Sequence, residues 1–138
     1  MAATARTTGK ILVVDDDLVV RDSLSKWFSS EGYIAQPAAG ASQALEAIQR
    51  DQYDLAVVDI RMLGINGIEL QGRLRQICPD LAVIIVTGYP SEPTAAQALK
   101  FGAIAYLTKP VDLDELSGMV AEAIEHQQRK KQAMLNGE

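Results

Sequence analysis

The chain has 138 residues, 48% of them hydrophobic and 22% charged, with a formal charge of −5. This is enough for one domain with a proper core, and the acidity argues against a free-standing nucleic-acid binder, which carries a basic patch. No apolar run approaches the roughly 18 residues of a membrane span, Met1 to Lys10 lacks the apolar stretch of a secretory signal, and the lone Cys78 excludes an internal disulfide and fits a reducing cytoplasm.

Residues 1–9, rich in Ala and Thr, are expected to form a flexible tail. A first apolar run at 11–14 predicts a strand. Val20, Leu24, Trp27 and Phe28 then recur at helical spacing until Gly32 stops them. A second strand is expected at 33–36, followed by a helix with Ala41, Ala44, Leu45 and Ile48 inward. The third, at 55–58, precedes a helix with Leu70, Leu74 and Ile77 inward, which Gly72 weakens by about 1 kcal/mol against Ala. The fourth, at 81–86, leads to a short Ala-rich helix at 94–101 closed by Gly102. The fifth, at 103–107, precedes a helix that opens near Asp112 and turns Leu113, Leu116, Val120 and Ile124 inward.

Runs one, three and four are apolar without alternation, as in parallel strands covered on both faces. The (βα)₅ order predicts one doubly wound α/β domain with a five-stranded parallel sheet over residues 10–126. Residues 127–138 are expected to continue as a polar helical extension or tail without a core stripe.

Ligands of such sheets sit beyond the carboxyl ends of the strands. Those ends carry Asp15, Asp16 and Asp17 after strand one, Asp59 after strand three, Thr87 after strand four and Lys109 after strand five. Mg²⁺ takes hard oxygen ligands, usually one or two carboxylates with phosphate oxygens and waters, and Asp16 with Asp59 supplies that minimum. A carboxylate can take a phosphoryl group if a metal and a cation neutralise its oxygens. Asp59, which ends a buried strand, is the candidate nucleophile, with Lys109 as the cation and Thr87 as a hydroxyl donor. Asp17 more simply caps the next helix.

The stretches from Ile11 to Asp17, Asp54 to Met62, Val83 to Gly88 and Ala105 to Pro110 resemble the receiver domains of two-component response regulators. The resemblance implies a flavodoxin-like strand order 2-1-3-4-5 and a signalling switch that catalyses only its own phosphoryl uptake and loss. It implies that Asp59 accepts phosphoryl from the phosphohistidine of a sensor kinase or histidine phosphotransfer protein. Asp15 and Asp16 would form the acidic pair, with Asp16, Asp59 and the Arg61 backbone carbonyl on Mg²⁺. Thr87 and Tyr106 would be the switch pair, Arg61 and Tyr89 would tune the lifetime of the phosphorylated form, and Lys109–Pro110 would be a cis peptide. Many relatives carry Pro where Leu63 stands, so the loop after the acceptor is expected to be less preset.

The output surface would be helix four, strand five and helix five. Ile104, Ala105 and Met119 make it apolar, which predicts a phosphorylation-linked dimer or output partner with little salt dependence. An enzyme alternative is a phosphatase of the haloacid dehalogenase type with Asp15 as nucleophile. It leaves Asp59 without a role and lacks an acidic pair on a later strand end. A flavin-binding domain is opposed by three carboxylates where a phosphate loop would sit.

Overall fold

The computed structural model describes residues 9–62 and 64–137. Apart from Gly9, the expected N-terminal tail lies outside them, as does Leu63. Five strands, β1 (Lys10–Val14), β2 (Ile34–Ala38), β3 (Leu55–Asp59), β4 (Ala82–Thr87) and β5 (Ala105–Thr108), pair in parallel in the order β2-β1-β3-β4-β5. Between and after them run α1 (Leu18–Ser30), α2 (Ala41–Arg50), α3 (Gly67–Ile77), α4 (Glu92–Lys100) and α5 (Leu113–Leu135). The doubly wound sandwich is therefore the fold.

Strand residues alternate between two cores. Leu12, Val14, Ala56, Val58, Val83 and Ile85 face Ala44 and Ile48 of α2, Leu70 and Leu74 of α3, and Ala98 of α4. Ile11, Val13, Leu55, Val57, Ile84 and Val86 face Leu24 and Phe28 of α1 and Leu116, Val120 and Ile124 of α5. Each fully buried Leu or Ile contributes about 1.5–3 kcal/mol, which is why the three central strands need apolar residues on both faces.

Several expectations shift. Strand β2 starts and ends later than 33–36, because Tyr33 packs edge-on against Phe28 after the turn at Gly32 (φ +96°). It tolerates Pro37 because it is an edge strand. Ile77 and Leu113 were expected inward but are 41% and 42% exposed. Ile77 ends α3 and Leu113 begins α5, where a helix has already left the sheet. Helix α5 runs on to Leu135, and Gln127 within its polar part is buried, with its amide donating to the carbonyls of Asp54 (3.3 Å) and Asp80. An amide thus continues the buried side of α5 where the apolar stripe stops.

Candidate functional site

Register brings the site together. Val14 pairs with Val58, so the residues that follow, Asp15 and Asp59, leave the sheet side by side. Asp59 pairs with Val86, and Thr87 pairs with Thr108, so Thr87 and Lys109 emerge next to them. The Lys109 amide donates to the Thr87 carbonyl at 2.8 Å, and the Lys109–Pro110 bond is cis. Asp15, Asp59 and Thr87 are buried and Asp16 is exposed. Asp17 caps α1, as expected, by accepting from the amides of Val19 and Val20.

Asp15 is already committed to partners. One carboxylate oxygen accepts the Asp17 amide at 2.9 Å and the other the Lys109 ammonium at 2.7 Å. Arg21 adds a bond from Nη1 to the Asp15 backbone carbonyl at 2.8 Å. Lys109 reaches Asp59 only at 3.5 Å. Burial, then the neighbouring Asp15 charge, push the Asp59 carboxyl above its ordinary 3.8, and Lys109 and the Arg61 amide offset only part of this. Burial works against the charge on Lys109, but its hydrogen bond to Asp15 and the fields of both carboxylates hold its pKa above the ordinary value. The two shifts fit one geometry, in which the ammonium belongs first to Asp15 and leaves Asp59 short of positive charge.

Oxygens of Asp15, Asp16 and Asp59 lie within 4.8 Å of one another. Lys109 pairs with Asp15 and Asp59 but has no ion pair with Asp16 among the described residues, so the carboxylates outnumber their ammonium, and an all-oxygen donor set suits a hard divalent cation. The residues present fit Mg²⁺. The set consists of exposed Asp16 and undersupplied Asp59, with Asp15 held behind them.

Two loops rim Asp59. The Arg61 guanidinium stacks on the Tyr89 ring, 3.9 Å from its centroid, an attraction of about 0.5–1 kcal/mol at an exposed site. The Arg61 amide bonds Asp59, and the Tyr89 amide donates to Thr87 Oγ1 at 3.0 Å. The Thr87 hydroxyl, with one lone pair so occupied, keeps its proton for another acceptor. Tyr106 lies apart from the carboxylates, with its hydroxyl at the first turn of α4, accepting from the Ser91 amide at 3.2 Å and 2.7 Å from Thr94 Oγ1.

Sequence reasoning missed Gly67, whose amide donates to the Ile60 carbonyl at 2.8 Å. A Cβ there would collide with the Asp59 carbonyl, so a side chain would displace the Asp59 backbone. A glycine directly after the cap Asn66 was the only signal.

Comparison with known proteins gives a consistent result. The family described as response regulator receiver domain matches residues 11–121. The transcriptional regulatory protein ZraR of Klebsiella oxytoca is 40% identical over 116 residues, covering 84% of this chain and 26% of that protein. The chain thus spans about a quarter of the length of the ZraR relatives. A receiver domain protein from Methanospirillum hungatei JF-1 superposes with a TM-score of 0.85 at 33% identity, covering 90% of this chain and 99% of that one. A response regulator from Burkholderia pseudomallei, solved with a phosphorylated aspartic acid, a calcium ion and citrate, gives 0.76 at 28%, covering 91% and 72%.

Proposed function

The chain belongs to the receiver-domain family of two-component response regulators, and on that premise we propose that Asp59 accepts the phosphoryl group that sets the switch. The observation that carries this reading is the charge deficit at Asp59, a buried carboxylate raised in pKa beside an acidic pair and given only a distant share of Lys109. Mg²⁺, held by Asp16, Asp59 and the Arg61 carbonyl, would neutralise phosphoryl oxygens as charge builds on them. An oxygen of Asp59 forms the new bond to phosphorus as the bond from phosphorus to the donor imidazole nitrogen breaks. Lys109 pairs with one phosphoryl oxygen and the Thr87 hydroxyl donates to another. The Burkholderia pseudomallei relative, with its phosphorylated aspartic acid and divalent ion, supports the same chemistry here.

The phosphatase alternative does not hold. Asp15 is 3% exposed and each of its oxygens already has a partner, the Lys109 ammonium or the Asp17 amide, so it is held in the fold and is not presented to a substrate as a nucleophile. The role is that of a regulator, and phosphoryl uptake and loss are the only reactions we assign to it. Its partners on this reading are a histidine kinase or phosphotransfer protein upstream and an output protein or domain downstream, in the cytoplasm of a bacterial cell. The responding surface is the face of α4, β5 and α5, where Leu99, Phe101 and Ile104 are half exposed. On phosphorylation this face would pair with a second copy or an output partner, and sedimentation should show the complex unchanged as salt rises.

The test is uptake from a small acyl phosphate with Mg²⁺. The protein should gain one acid-stable, base-labile phosphoryl group on the peptide containing Asp59, and Asp59→Asn should lose it. Label on Asp15, or full labelling of Asp59→Asn, would overturn the assignment.

A further inference from the structure

Helix α4 is held at its two ends by different neighbours. Its first turn is tied to β5 through the Tyr106 hydroxyl, which accepts from the Ser91 amide at 3.2 Å and lies 2.7 Å from Thr94 Oγ1. Its last turn is tied to α3. Arg75 Nη1 donates to the Phe101 carbonyl at 3.0 Å, and Gln71 Nε2 reaches the same carbonyl at 3.4 Å and that of Ala98 at 3.5 Å.

Gln71 is an unusual choice for its position. It is 0% exposed on the core side of α3 beside Leu70, and its Oε1 has no partner among the described residues. A buried amide with an unused acceptor costs stability that a leucine would not. What offsets it is its hold on the turn that ends α4: the amides of Ala103 and Gly102 serve the Ala98 and Leu99 carbonyls, and Gln71 ties the Ala98 and Phe101 carbonyls of the same turn to α3. Gly102 completes the arrangement. It takes a φ of +102°, and the space a Cβ would fill is occupied by the Arg75 guanidinium.

We propose that Gln71 and Arg75 are positioning residues that fix the C-terminal end of α4, so that the Tyr106 switch moves only its N-terminal end. This rests on the reading of Thr87 and Tyr106 as the switch pair. When Thr87 is drawn to the phosphoryl group and Tyr106 turns inward behind it, Ser91 and Thr94 lose their shared partner. Nothing in that movement touches Gln71 or Arg75. Helix α3, which carries them, begins at Gly67 on the Ile60 carbonyl, so the fixed end of α4 is referenced to the acceptor strand itself. Helix α4 therefore pivots about Phe101 instead of sliding, and the exposed residues near its start travel furthest.

Amide hydrogen exchange on the whole chain, with Mg²⁺ and with or without excess acyl phosphate, tests this. Phosphorylation should speed exchange of the Ser91 amide by about tenfold or more and that of Phe101, Gly102 and Ala103 by less than about twofold. Tyr106→Phe should release Ser91 without phosphoryl, again sparing residues 101–103. In Arg75→Ala, and separately in Gln71→Leu, the phosphorylation-linked change should spread to 101–103 while phosphoryl uptake stays at the parent rate. If Ser91 stays protected in the phosphorylated protein, the switch reading fails and the pivot with it. If Ser91 is released but 101–103 open equally in the parent, the switch stands and the pivot is wrong.

Discussion

The two ends of the sheet use the same ingredients in opposite ways. At the ends where the strands begin, Asp51, Asp54 and Asp80 are matched one to one with Lys10, Lys131 and Lys130. Asp54 is buried there, takes the Lys10 amide on its second oxygen at 2.9 Å, and lies under the Gln127 amide. At the ends where the strands finish, Asp15 and Asp59 share Lys109, and the neighbouring Asp16 has no ion pair among the described residues. The pKa directions follow the bookkeeping of charge. The hydrogen bond from Lys10 and the Gln52 amide hold Asp51 below the ordinary carboxylate value, whereas burial and Asp15 hold Asp59 above it. A balanced acidic cluster locks the end of α5 onto the sheet, and an unbalanced one has the composition that suits a cation.

The strongest way to break this contrast is to remove Lys109, the ammonium that pairs with Asp15 and Asp59 at the finishing edge. Lys109→Met should slow phosphoryl uptake from a small acyl phosphate by about two orders of magnitude, in the range seen when one charge-stabilising donor is lost. A rate within a few-fold of the parent would show that Lys109 only packs. At the other edge, Asp54→Asn should cost about 1–3 kcal/mol in denaturant unfolding by loosening the bonds from Lys10 and Lys131. It should leave uptake and the response to Mg²⁺ unchanged.

The sign at Asp59 sharpens the comparison further. A carboxyl raised in the fold makes the metal-free protein lose stability as pH rises from the unfolded value, an ordinary 3.8, through the folded one. Asp59→Asn should therefore melt higher than the parent at neutral pH without metal, whereas Asp54→Asn melts lower. Equal losses in both would mean that the two clusters are alike. The smallest effect concerns the rim. Arg61→Ala with Tyr89→Ala should shorten the half-life of the phosphorylated form several-fold by opening the stack beside Asp59 to water, and an unchanged half-life would remove their shielding role.

The finishing edge was legible in the sequence because its signals are local. An ion directly after Leu-Ala-Val-Val has to be explained, and four such strand ends converge once the (βα)₅ order is recognised. The starting edge was not legible. No local signal singles out Asp54, Asp80 and Lys131 as partners, since their pairing depends on α5 continuing across the sheet, with 77 positions separating Lys131 from Asp54. Gln127 was read as the start of a polar tail because an amide cannot be told from a solvated residue until the carbonyls it faces are known. Gln71 escaped for the same reason. The helix ends misled in the other direction, since periodicity counts Ile77 and Leu113 as core although the sheet no longer lies beneath them.

The account stands on the claim that the unbalanced carboxylates are a divalent-cation site, and thermal melting with and without Mg²⁺ tests it most directly. Mg²⁺ should raise the melting temperature of the parent by mass action. Asp16→Asn should lose most of that gain, and Asp17→Asn should keep it, because Asn still caps α1 through its side-chain oxygen. A gain that survives Asp16→Asn, or one lost equally in both variants, would contradict the assignment of the cation to Asp16 and Asp59.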